Sequence, residues 1–101
     1  KLVSMQDIDY LESDSHYVLY YITKNEICRV RESLSDAETL LKEYGFIQVH
    51  KRFIVNIYKV QNINLSRYPS VKLYSGKDLP IGRKYKDSVL KSYKEQLRNK
   101  L

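Results

Sequence analysis

The stretch GFIQVHKRFIVNIYKV, Gly45 to Val60, holds an apolar run, three hydrogen-bonding side chains (His50, Lys51, Arg52) and a second apolar run. Burying a charge without a partner is costly, so the basic triplet has to lie where the chain reaches solvent. The flanking segments 46–49 and 54–65 have the β-branched and aromatic content of strands. The stretch therefore reads as a loop of cations held between two core-forming strands. In the second strand the apolar phase slips between Val60 and Ile63, which predicts a bulge near Gln61–Asn62. Asn56, between Val55 and Ile57, is expected to be a buried, hydrogen-bonded loop clamp. His50 is expected to anchor its own loop by a hydrogen bond.

Working outward, DIDYLES (7–13) is a short strand candidate with Ile8 and Tyr10 on one face. HYVLYYI (16–22) places Val18, Tyr20 and Ile22 on one face and Tyr17, Leu19 and Tyr21 on the other. A strand apolar on both faces is covered on both, which predicts layered sheets. TKNE reads as a turn into ICRV, where Cys28 is a small apolar strand residue. Ser35 and Glu38 have the spacing of a capping box, and Ala37, Leu40, Leu41 and Tyr44 then form one helical stripe closed by Gly45. Further on, 70–74 is a strand, YSGKD (74–78) a Gly-centred hairpin turn, and LPIG a short strand that Pro80 places at an edge. From Lys84 onward Tyr85, Val89, Tyr93 and Leu97 mark a basic C-terminal helix. The fold class is mainly β, with short, mostly antiparallel strands in layered sheets, one short internal helix and one C-terminal helix. The ten tyrosines are expected to serve mostly in the core and on sheet faces.

At 101 residues and 12.0 kDa the chain is read as one domain over 1–101. A chain of this length buries roughly two-thirds of its unfolded surface, enough for a core without staples. It begins on Lys1 with no initiator Met, so it is expected to be a fragment, the C-terminal part of a longer protein. No apolar run approaches the ~20 residues of a membrane span. The lone cysteine excludes an intrachain disulfide and fits a reducing, cytoplasmic compartment. Charge is unevenly spread: residues 1–45 carry 5 Lys/Arg against 9 Asp/Glu, whereas residues 46–101 carry 13 against 3. A segment that cationic calls for an anionic partner.

The two histidines stand 34 residues apart with no second ligand at metal spacing, so neither a metal nor a cofactor is expected. No phosphate loop, dinucleotide fingerprint or nucleophile elbow is present, and no catalytic residue or enzymatic activity is expected. What remains is a set of polar side chains at strand ends: His16 in ESDSHYV, Lys51 with Arg52 in VHKRF, and Arg83 with Lys84 in PIGRKYK. Rigid sheet ends hold such loops in place. Arg can read guanine bidentately, Lys reaches the same acceptors as a point charge, and His donates or accepts at a base edge. Arg52, Lys84 and Lys86 suit phosphate oxygens. The two helices are separated by about forty residues of strand pattern, so DNA binding would proceed without a helix-turn-helix.

These segments resemble the LytTR DNA-binding domain, the output module of many bacterial two-component response regulators. The resemblance is carried in order by IDYLESDSHYVLYYIT, VRESLSDAETLL, GFIQVHKRFIVNIYKV and VKLYSGKDLPIGRKYK, and runs through nearly the whole chain. It implies an elongated β sandwich whose strand-end loops enter successive major grooves of double-stranded DNA. It also implies phosphorylation-driven homodimers on directly repeated sites, an upstream receiver domain and a sensor kinase. Carried over position by position, the base-contacting residues are His16, Lys51 and Arg83. Lys51 stands where the family often has Arg or Asn, Arg52 where it has a small hydroxyl, and Gly82 where it has Ser.

Two other classes fit the composition. A single-stranded nucleic acid or generic polyanion binder would interleave aromatics and cations on one exposed strand face. A protein-interaction or membrane-surface module would use the basic helix 84–100, although its stripe of Tyr, Val and Leu suits packing on its own domain.

Overall fold

The structure, a computed structural model, describes residues 3–100; Lys1, and with it the expectation of a preceding segment, lies outside them. Three strands come first: β1 (Ile8–Asp14), β2 (Tyr17–Ile22) and β3 (Glu26–Arg31). Helix α1 (Leu34–Leu41) leads to β4 (Phe46–His50) and β5 (Phe53–Asn56). A second group follows: β6 (Val60–Asn64), β7 (Ser70–Leu73), β8 (Asp78–Pro80) and helix α2 (Lys86–Asn99). One sheet has the order β3-β2-β1-β5-β4 and the other β6-β7-β8; every paired neighbour is antiparallel. The chain thus forms the layered, mainly β architecture expected, longer than it is thick at 34 × 27 × 24 Å.

The five-stranded sheet is buried on both faces over β1, β4 and β5, whereas its outer strand β3 is exposed. Successive side chains of a strand point to opposite sides, so Tyr10 and Leu11 on β1, and Ile54 and Val55 on β5, feed different cores. Leu11, Val18, Ile54 and Phe46 meet Leu34, Ala37 and Leu41 of α1. Tyr10, Val49 and Val55 meet Val71, Leu73 and Leu79 of the small sheet and Val89 of α2. Each fully buried aliphatic side chain contributes roughly 1.5–3 kcal/mol of burial free energy. The two-sided pattern of β2 has this cause, with Val18 and Ile22 buried on the α1 side and Tyr21 packed on the other.

Helix α1 starts earlier than the Ser35–Glu38 spacing predicts. Its cap is Ser33, whose hydroxyl oxygen accepts from the Asp36 N–H at 3.0 Å. Both serines satisfy the local capping chemistry. Packing decides between them, because Leu34 has to lie within the helix to join Ala37 and Leu41 against the sheet. Leu40 therefore faces solvent at 67% exposure, and Tyr44 is exposed as well. Gly45 does close the segment, at φ 88°, after a 3-10 turn over Lys42–Tyr44. A Cβ on Gly45 would stand 2.5 Å from the Tyr58 ring.

The expected strand 54–65 is divided in two. A 3-10 turn over Ile57–Lys59 separates β5 from β6, and Asn56 is its cause. Buried to 2% exposure, Asn56 accepts from the Tyr58 N–H at 3.1 Å and donates to the Ile8 carbonyl at 2.9 Å. The first bond bends the chain out of one sheet into the other; the second fastens the bend to β1. The bulge appears where the phase slip predicts it, between Val60 and Asn62. Pro80 lies on β8, an outer strand, and Gly76 turns the hairpin at φ 97°.

Asn56→Ala leaves a buried carbonyl and a part-buried N–H without their partners. The expected cost is about 2–6 kcal/mol, at roughly 1–3 kcal/mol for each of the two orphaned groups. Urea denaturation of the two proteins measures it, and a change below about 0.5 kcal/mol, the level of an uninvolved surface substitution, would remove the clamp from the account.

Candidate nucleic-acid interface

Strand directions decide which turns share an end of the molecule. β1 runs into the turn at Ser15–His16, and Asp14 pairs with Tyr17 across it. β4 runs the same way into Lys51–Arg52, since β5, to which both pair, is antiparallel to each. The two turns meet: the Ser13 N–H donates to the Arg52 carbonyl at 3.0 Å. The Arg52 guanidinium reinforces the junction, with Nη2 at 3.3 Å from Glu12 Oε2 and 3.4 Å from the Ser13 carbonyl. The chain leaving β8 arrives at the same place, where the Gly82 N–H donates to the Val49 carbonyl at 2.8 Å. Arg83 and Lys84 then begin a 3-10 turn that leads into α2 at Lys86.

His16, Lys51 and Arg83 are therefore gathered at one end of the five-stranded sheet, all three exposed to solvent. Arg52, Lys84 and Lys86 are exposed beside them. Across the sheet the order is the end of β3, then His16, then Lys51, then the Gly82–Arg83 turn against β4. With strands ~4.8 Å apart, the five strand ends span about 19 Å. Arg52 differs from its neighbours in already holding a carboxylate, yet its side chain remains 52% exposed.

The 50–52 turn is locked from within. His50 Nδ1 accepts from the Arg52 N–H at 3.1 Å, and the Gln48 side-chain amide donates to the His50 carbonyl at 3.1 Å. Desolvation, followed by the charges of Lys51 and Arg52, holds the His50 imidazole below its ordinary pKa of 6.5. An accepting Nδ1 requires that nitrogen to be unprotonated, which agrees with the direction of the shift. His50 is the internal anchor expected of it. Ser15, at φ 57°, turns the chain beneath His16.

A fourth loop escapes sequence reasoning. Residues 65–69 connect β6 to β7 at this same end, because Ser70 pairs with Pro80 and the Ile81 N–H donates to the Pro69 carbonyl at 3.0 Å. It brings Arg67 near Tyr68, the most exposed large hydrophobic residue at 79%. Only the strand pairing reveals this placement. Tyr44, Tyr58 and Tyr74, also exposed, lie toward the opposite end, with Gly45 and the Ile57–Lys59 turn. Among the described residues no group of three His, Cys, Asp or Glu side chains could hold a metal ion, and no helix is long and apolar enough to cross a membrane.

Because the folded pKa of His50 is lowered, its contribution to stability is full above the ordinary value of 6.5 and is lost as pH falls through the folded value. The urea midpoint should therefore fall more between pH 7.5 and pH 5 in wild type than in His50→Gln. Identical pH profiles for the two proteins would contradict the anchoring bond.

The sequence model of the LytTr DNA-binding domain matches residues 1–94. No curated protein matches the chain. Among solved structures, the LytTr DNA-binding domain of a protein described as a methyl-accepting/DNA response regulator from Bacillus cereus superposes with a TM-score of 0.81. The two are 23% identical over 89% of this chain and 84% of that one, a likeness of fold. With the match covering nearly its full length, the chain belongs to the LytTR family of DNA-binding domains.

Proposed function

We propose that this chain binds double-stranded DNA sequence-specifically, as the output domain of a bacterial transcriptional response regulator. The observation that carries the reading is the convergence of three cation- or histidine-bearing turns on one sheet end, joined by the Ser13–Arg52 and Gly82–Val49 backbone bonds. His16, Lys51 and Arg83 are the base-contacting side chains. Arg83 offers a guanine the bidentate fork, Lys51 a point charge and His16 a single donor or acceptor. Arg52, Lys84 and Lys86 bind phosphates and set the register. Arg52 does so with the N–H groups not spent on Glu12 and Ser13, so it both joins two turns and meets the backbone.

A row of about 19 Å is wider than one major groove of ~12 Å, so its outer residues address the duplex on either side of a ridge of phosphates. This supports docking by the sheet end, with no helix in the groove. In the full regulator, an upstream receiver domain phosphorylated by a sensor kinase would pair two copies on directly repeated sites in the cytoplasm. Single-stranded binding by tyrosine stacking is disfavoured, since Tyr44, Tyr58 and Tyr74 are exposed away from the cationic turns and, among the described residues, Tyr68 alone of the exposed tyrosines stands with them.

Selection from a random duplex library should enrich a motif with wild type that Lys51→Ala/Arg83→Ala fails to enrich. On the enriched site Arg83→Ala should cost about 1–3 kcal/mol and less on random duplex. Equal loss on both would remove Arg83 from the base-contacting set. With about five phosphates neutralised, log K should fall against log salt with a slope near −4 to −5. A flat response would count against nucleic acid altogether.

A further inference from the structure

The N-terminal half is net acidic, with 5 Lys/Arg in residues 1–45, yet two of those cations stand at the same sheet end as the turns. Arg29 and Arg31 are two residues apart on β3 and so share one face of the strand. β3 is an outer strand, paired among the described residues to β2 alone. Tyr17, the residue after His16, is the cross-strand partner of Arg31. The Arg29 Cζ lies 3.8 Å from the centroid of the Tyr17 ring, and the Arg31 Cζ lies 5.8 Å from it.

Stacking on an aromatic face holds a guanidinium in place electrostatically without using the N–H donors at its edge. Among the described residues those donors are not spent on acids. Neither arginine has a carboxylate at salt-bridge distance among the described residues, where Arg52 pairs with Glu12. Glu32, the acid nearest Arg31 in sequence, instead accepts from the Tyr20 hydroxyl. The result is two exposed, pre-oriented guanidinium groups on one ring, next outward from His16 along the row.

We propose that Arg29, Tyr17 and Arg31 form a phosphate clamp that grips the DNA backbone just outside the groove His16 enters. The clamp rests on the duplex-binding reading above. It is a positioning element: its guanidinium groups lie against a ring on a strand face instead of projecting from a turn, so it contributes affinity equally on any sequence. The competing role is purely structural, with charged side chains guarding an exposed sheet edge against pairing with another strand.

The test measures affinity against salt concentration for the whole chain on the library-selected duplex and on a random 30-base-pair duplex. Wild type, Arg29→Gln/Arg31→Gln and Tyr17→Leu are compared. A clamp predicts that the double variant loses affinity by the same factor on both duplexes. Its salt slope should be shallower by about two, at ~0.9 per released phosphate contact. Tyr17→Leu keeps both charges and should weaken binding with little change in slope. An unchanged slope and affinity in the double variant, with a steep wild-type slope, would overturn the clamp and leave the edge-guarding role. Loss confined to the selected duplex would overturn it too, since that marks base reading. Absence of salt-dependent duplex binding by wild type would bring down the duplex reading and the clamp together, and is seen before any variant is made. Neutral methylphosphonates walked through the selected duplex give a second readout on wild type alone. One or two sensitive phosphates should lie on the outer flank of the base whose preference His16→Ala abolishes; none there would overturn the clamp even if the double variant does not fold.

Discussion

A sheet covered on both faces has only its edges and its ends left for function. α1 closes one face of the five-stranded sheet, and the three-stranded sheet with α2 closes the other. Over β1, β4 and β5 neither face can present a binding surface without giving up part of a core, and only the outer strand β3 is left exposed. The cations that the sequence concentrates in turns are thereby confined to strand ends. There they stand in a row whose spacing is set by the ladder and whose rigidity comes from the strands below.

Which end they occupy follows from the number of chain reversals. Asn56 bends the chain out of the large sheet at the end opposite His16, and three strands follow before Arg83. An odd number of traverses returns the chain to the His16 end, where Gly82 bonds to Val49. The clamp of Asn56 on Ile8 is remote from Arg83, yet the delivery of Arg83 depends on the turn it makes. Helix α1 does the same for the other turn. It carries the chain from the end of β3 back across the sheet, so that β4 can run toward Lys51.

The electrostatics of the end divide its arginines into two kinds. Arg52 is tied to Glu12 and the Ser13 carbonyl, and joins two turns that are about forty residues apart in sequence. Arg29 and Arg31 are held by a ring that makes no claim on their hydrogen-bond donors. His50 sits beneath Lys51 with its imidazole depressed by desolvation and by its cationic neighbours, which favours the neutral form that the turn needs.

Much of this was determined by the sequence alone, wherever one local pattern admits one physical solution. The two-sided strand 17–22, the basic turn after Val49, the bulge near Gln61, the buried Asn56 and the anchoring His50 all follow from spacing and from the cost of burying unpaired polar groups. Tertiary structure decided what local chemistry left degenerate. Ser33 and Ser35 can each cap a helix, and only the packing of Leu34 against the sheet selects Ser33. An apolar run over 54–65 can be one strand or two; the bend at Asn56 makes it two, and the bond from Asn56 to Ile8 fastens that bend to β1. The partnerships of Arg52 with Glu12 and of Arg29 and Arg31 with Tyr17, and the arrival of the 65–69 loop beside Ile81, depend on register between distant segments. Periodicity tells which face of a strand is buried; which end a turn reaches, and what it meets there, is settled only when the strands pair.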